Sequence, residues 1–147
     1  MRYVHTNIVA RDWRALAAFY EAVFGCRPKP PVRAFADEWL ARGTGVPGAE
    51  LEGIHLALPG YGDDGPTLEI FTYGTIQEQE AGVPDRRGLA HLAFEVDDVA
   101  ETLTAVVARG GSALGEVTRC EIEGVGDLSF VYARDPEGNV LELLAWS

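Results

Sequence analysis

At 147 residues the chain is long enough for one domain, or for two small modules sharing a core, and 47% hydrophobic with 24% charged residues is ordinary for a globular protein. A net charge of -11 argues against a nucleic-acid partner, because phosphate contacts need a basic face. No apolar run approaches the ~18 residues of a membrane span, and Met1-Arg-Tyr-Val-His5 reads as a strand rather than a signal peptide, so the expectation is a cytoplasmic protein with no membrane partner.

The basic residues are eleven Arg and a single Lys, Lys29. Cys26 and Cys120 lack CxxC spacing and are expected to be free thiols. Residues 3–9 alternate as a strand, with His5 on the face of Tyr3 and Asn7. Asp12 is a helix N-cap for Trp13 to Phe24, where Trp13, Leu16, Tyr20, Val23 and Phe24 recur at helical spacing before a stop at Gly25. Arg27-Pro-Lys-Pro-Pro31 should break regular structure, leaving a short strand from Val32 to Phe35 and a short helix from Ala36 to Arg42 ended by Gly43. Ile54, Leu56 and Leu58 mark a strand with His55 facing away, read as structural. Residues 59–66 form a loop, and Thr67–Tyr73 is a strand that holds Glu69 between apolar neighbours.

Residues 74–87 are polar and interrupted by Gly and Pro. After them the opening pattern returns. Gly88 to Asp98 reads as a strand with His91 opposite the core face of Ala90, Leu92, Phe94 and Val96, running into a helix capped by Asp98 and Glu101. Val99, Leu103, Val106 and Val107 make its apolar stripe, which ends at Gly110-Gly111. Three strands follow, around 113–121, 127–133 and 139–146, the last two joined by a type I turn at Asp135-Pro-Glu-Gly138. The unit strand–helix–strand–strand–strand thus occurs twice, giving an α+β fold with modules at 1–75 and 88–147 joined by a linker at 76–87.

One strand histidine, or one strand glutamate, more often serves structure than chemistry. Here both recur at matching places: His5 and His91 on the first strands, Glu69 and Glu142 on the last. A glutamate among strand hydrophobics is costly unless it faces water or has a strong partner. Two imidazoles and two carboxylates suit a divalent first-row metal with positions left for water or substrate.

The paired units, the His strand followed by a helix, the Asp135-Pro-Glu-Gly-Asn139 turn and the closing Leu141-Glu-Leu143 resemble the vicinal oxygen chelate superfamily of glyoxalases, bleomycin-resistance proteins and dioxygenases. The resemblance implies two βαβββ modules whose curved sheets form a cup around one divalent ion, Ni, Co, Zn, Mn or Fe. It implies ligands at His5, Glu69, His91 and Glu142, from one chain or shared across a homodimer. Four retained ligands resemble the glyoxalase I and epimerase branches, and a glutamate at 69 resembles glyoxalase I. The implied activity is a lyase or isomerase. It would take a proton next to a metal-bound carbonyl through an enediolate, with Glu69 or Glu142 as base and the other as acid. A ring-cleaving extradiol dioxygenase would use His5, His91 and Glu142 alone. A bleomycin-resistance-like protein would bind a small molecule without metal. Nothing names the small-molecule substrate; Arg11, Arg14, Arg86, Arg87 and Arg119 are candidate clamps for an anionic one, each more simply read as solvated surface.

Overall fold

A computed structural model describes residues 1–147. Contacts divide the chain into two units, Met1–Glu78 and Gln79–Ser147, the division falling within the stretch 76–87.

The first unit runs β1 (His5–Val9), α1 (Trp13–Phe24), β2 (Arg27–Phe35), α2 (Glu38–Thr44), β3 (Leu51–Ala57) and β4 (Thr67–Tyr73). Its four strands lie in the order β1-β4-β3-β2, with β1 parallel to β4 and the other pairs antiparallel. The Asp12 carboxylate accepts from the N–H groups of Arg14 and Ala15 at 2.9 and 3.1 Å, which starts α1, and Gly25 ends it in the left-handed conformation (φ 67°). α1 packs on β2, β3 and β4. It buries Leu16, Phe19 and Tyr20, while Ile54, Leu56, Leu68 and Ile70 are buried on one side of the strands. Each such side chain contributes about 1.5–3 kcal/mol by leaving water. Because strand side chains alternate, the opposite face of the same strands carries His5, Asn7, His55 and Glu69. The packed face holds the polar one in position.

The second unit runs β5 (Leu92–Glu95), α3 (Val99–Ala108), β6 (Ser112–Ala113), β7 (Thr118–Ile122), β8 (Gly126–Arg134) and β9 (Val140–Trp146). Its order is β5-β9-β8-β6, with β7 also paired to β8, and again the first strand lies parallel to the last. Asp98 caps α3 by accepting from the Glu101 N–H at 2.8 Å. Val99, Val106, Val131, Ala133, Leu141 and Leu143 form the buried core. Asp135 is buried too, and the Gly138 N–H donates to its carbonyl at 3.0 Å, closing the expected turn between β8 and β9.

Several sequence expectations need correction. Regular structure does not stop at Arg27-Pro-Lys-Pro-Pro31, since β2 runs through all five residues to Phe35. It pairs only with β3, an edge position that tolerates proline, and the pairing lapses between Lys29 and Arg33, where Pro30 and Pro31 lie. α2 begins at Glu38 and continues through Gly43 to Thr44; Gly45, at φ 73°, is the glycine that stops it. β5 has four residues, so His91 immediately precedes the strand rather than lying in it. The stretch 113–121 is two strands, β6 and β7, both hydrogen-bonded to β8. Val107, expected on the apolar stripe of α3, is exposed, as the helix ends within one residue of it.

Candidate functional site

Glu69 sits at the middle of β4, an inner strand of the first sheet paired to β1 on one side and β3 on the other, and is 8% exposed. Register brings three donors to it. Asn7 lies opposite on β1 and its Nδ2 approaches Oε2 at 3.4 Å. His55 lies opposite on β3 with Nε2 at 2.9 Å from Oε1. His5, two residues before Asn7, places Nδ1 at 3.3 Å from the same oxygen. The Thr67 hydroxyl is 3.3 Å from His55 Nδ1, so the neutral tautomer with its proton on Nε2 satisfies both contacts. Burial, offset only in part by Glu69, holds the His55 pKa below its ordinary value and keeps this ring neutral.

The second unit repeats the arrangement with a different neighbour. His91 Nε2 is 3.1 Å from Glu142 Oε2. Glu142 lies opposite Tyr132 on β8, as Glu69 lies opposite His55 on β3, and opposite Ala93 on β5 where the first unit has Asn7. The Tyr132 ring stands 5.2 Å from the His91 ring, and burial together with the Glu142 charge raises its phenol pKa, so it stays protonated. Glu142 is therefore approached by one hydrogen-bonding group where Glu69 is approached by three.

The four residues singled out from the sequence thus fall into two pairs, His5 with Glu69 and His91 with Glu142, each inside its own unit. Neither unit alone gathers three His, Cys, Asp or Glu side chains in a metal-holding arrangement. His55, read from sequence as structural, proves to be a direct partner of Glu69; its only signal was cross-strand register, which one strand's pattern does not contain. Asn7 and Tyr132 went unnoticed for the same reason. Among the candidate clamps, Arg11, Arg14 and Arg86 pair with Glu78, Glu52 and Glu80. Cys26 and Cys120 are free thiols, as expected.

A model of the Glyoxalase/Bleomycin resistance protein/Dioxygenase superfamily matches residues 2–143. The chain is 28% identical over 141 residues to the uncharacterized protein YwbC of Bacillus subtilis, covering 96% of this chain and 94% of that one. It is 31% identical over 91 residues to a probable lactoylglutathione lyase of Vibrio parahaemolyticus, covering 60% and 61% of the two chains. The crystal structure of a glyoxalase family protein from Bacillus cereus superposes with a TM-score of 0.77 at 21% identity, covering 99% and 93%. No helix is long and apolar enough to cross a membrane.

Proposed function

We propose, from the premise that this chain belongs to the Glyoxalase/Bleomycin resistance protein/Dioxygenase superfamily, that it is a divalent-metal-dependent lyase or isomerase of the glyoxalase I type. Its metal ligands in this reading are His5, Glu69, His91 and Glu142, one pair from each unit, of one chain or of two in a homodimer. The observation that carries the reading is the pair of matched separations, 3.3 Å for His5–Glu69 and 3.1 Å for His91–Glu142. Two donors bound at about 2.0–2.2 Å to one ion stand roughly 3.0–3.4 Å apart, so each pair has the spacing of adjacent ligands. Imidazole and carboxylate together suit Zn, Ni, Co, Mn or Fe.

A divalent ion held by His5, Glu69, His91 and Glu142 would supply Lewis acidity to the substrate's oxygens and would make the neighbouring C–H acidic enough to ionise. The protein supplies the base. Glu69 is held by Asn7, His55 and His5, and its buried carboxylate cannot turn without breaking those contacts. Glu142 has His91 alone, and its partner across the strand is a phenol that stays neutral. Glu142 is therefore the carboxylate free to swing onto the substrate. It takes the proton from the hydroxyl-bearing carbon beside the carbonyl as the C–H pair becomes a C=C bond and the carbonyl π pair moves onto its oxygen. It then returns the proton to the former carbonyl carbon as the hydroxyl proton passes to the other oxygen and the C=O re-forms at the first carbon. Glu69 stays in place as a ligand.

The test combines metal analysis with two isosteric variants. Purified wild type should hold about one divalent ion per site and exchange a substrate C–H with solvent deuterium without consuming oxygen. Glu142→Gln should lose 10²- to 10⁴-fold in kcat, the usual range for a lost general base. Glu69→Gln should chiefly weaken metal retention. Full activity in both variants would overturn the mechanism. Iron with oxygen uptake would replace it with ring-cleaving oxygenation, and a wild type that holds no metal after reconstitution would leave small-molecule binding without catalysis.

A further inference from the structure

Thr67, the first residue of β4, is a buried polar residue on the same face of the strand as Glu69, since side chains two residues apart share a face. His55 lies opposite Glu69 on β3 and bridges the two. Its Nε2 is 2.9 Å from Glu69 Oε1, and its Nδ1 is 3.3 Å from the Thr67 hydroxyl oxygen. The chemistry of these groups sets the direction of both bonds. An ionised carboxylate only accepts, so Nε2 carries the ring proton and donates to Glu69. Nδ1 is then a bare lone pair, and the Thr67 O–H donates to it. Thr67 thereby selects the tautomer that His55 presents to Glu69.

The second unit builds the same strands without this pair. β9 has Val140-Leu-Glu142 where β4 has Thr67-Leu-Glu69, and Tyr132 stands opposite Glu142 as His55 stands opposite Glu69. Val140 is buried as Thr67 is. A valine and a tyrosine thus meet the needs of the sheet at these two places, and packing alone gives no reason for a hydroxyl bonded to an imidazole. We propose that Thr67 and His55 are a positioning pair for Glu69, orienting its carboxylate as a metal ligand and setting how tightly the ion is held. The inference rests on the reading of Glu69 as a ligand. Carboxylate oxygens carry two lone pairs each, so Oε1 can keep the His55 bond while it binds an ion. Partners that hydrogen-bond a ligating side chain typically control about 10–100-fold of metal affinity.

The experiment measures zinc affinity of the whole chain by competition with a chromophoric chelator, beside nitrogen–proton correlation NMR spectra of its histidine rings without metal. The chain has three histidines, so His55 is assigned by its loss in His55→Gln. Wild-type His55 should carry its proton on Nε2, and Thr67→Val, which matches Val140 of the second unit, should leave both neutral tautomers populated. His55→Phe should weaken zinc binding by about 10–100-fold, and Thr67→Val by a smaller factor. His55→Gln has an amide that accepts from Thr67 and donates to Glu69, so it should recover to within about threefold of wild type. Zinc held equally by wild type and His55→Phe, a His55→Gln protein as weak as His55→Phe, or unchanged spectra and affinity in Thr67→Val overturns the proposal. A wild type that takes no zinc overturns the metal reading together with this inference, so the two failures are told apart.

Discussion

Gly53 lies on β3 opposite Phe71, and a methyl added there has no room. An ideal Cβ would stand 2.0 Å from the Ile70 carbonyl oxygen, 2.2 Å from Phe71 Cδ1 and 2.8 Å from Phe71 Cα, where ordinary contact begins near 3.4 Å. Two of those atoms are backbone of β4, which is itself clamped between β1 and β3, so relief requires moving a strand by more than an ångström. Overpacking a core costs about 1–3 kcal/mol where side chains can adjust, and here they cannot, so about 3 kcal/mol is expected for Gly53→Ala. That is a large part of a typical 5–15 kcal/mol, and at roughly 2–4 °C per kcal/mol it lowers Tm by about 6–12 °C. Thermal unfolding followed by circular dichroism reads this directly. Gly43→Ala is the matched control: it lies inside α2 with nothing within 4 Å of its Cβ, so its Tm should hold or rise. A Gly53→Ala protein that melts within 2 °C of wild type would refute the close approach, and with it the packing of the Phe71 ring against β3.

The buried Cys26 thiol has its pKa pushed up to about 12, first by burial and then by the Glu21 charge. The folded thiol keeps its proton while the unfolded one ionises near pH 9, so the unfolded state binds fewer protons above that pH and stability falls from there toward pH 12. Cys26→Ala should flatten that decline, and at pH 8.5 iodoacetamide should modify Cys120 well before Cys26; equal rates would refute the burial. Asp135 Oδ1 accepts from the N–H groups of Glu137 and Asn139, both at 2.9 Å, and Oδ2 accepts from Asn139 Nδ2 at 2.9 Å. Asp135→Ala strips these donors of their acceptor and should cost about 2–4 kcal/mol in urea unfolding, while Asp135→Asn, which keeps one acceptor oxygen, should cost less. Equal losses in the two would show that the turn does not depend on those bonds.

What was readable in advance depended on whether its cause lies within one stretch of chain. Asp12 and Asp98 could be seen as caps because a cap acts on N–H groups two or three residues away. Glu69 and Glu142 stood out because a carboxylate amid strand hydrophobics conflicts with its own neighbours, and repetition of the same conflict marked it as purposeful. The His55–Glu69 contact was hidden because it joins residues on separate strands, and the loop between β3 and β4 conceals which residue faces which. β2 was hidden for another reason. Proline is forbidden only where a strand needs its N–H, and whether a strand has one neighbour or two is a property of the sheet.

The prolines of β2 have a consequence for how the folded protein behaves in a crowd. β2 has β3 on one side and no strand of its own sheet on the other, and such a border can recruit a strand from another molecule. Pro28, Pro30 and Pro31 have no N–H to offer, the strand is irregular between Lys29 and Arg33, and Arg27, Lys29 and Arg33 place positive charge among the prolines. An incoming strand would find gaps in its ladder and, if it came from a second copy, the same cations facing it. The segment that looked like an interruption of the fold thus acts as a guard against fibrous self-association, and its replacement by a smooth β-branched strand would strengthen the sheet while opening the protein to polymerisation.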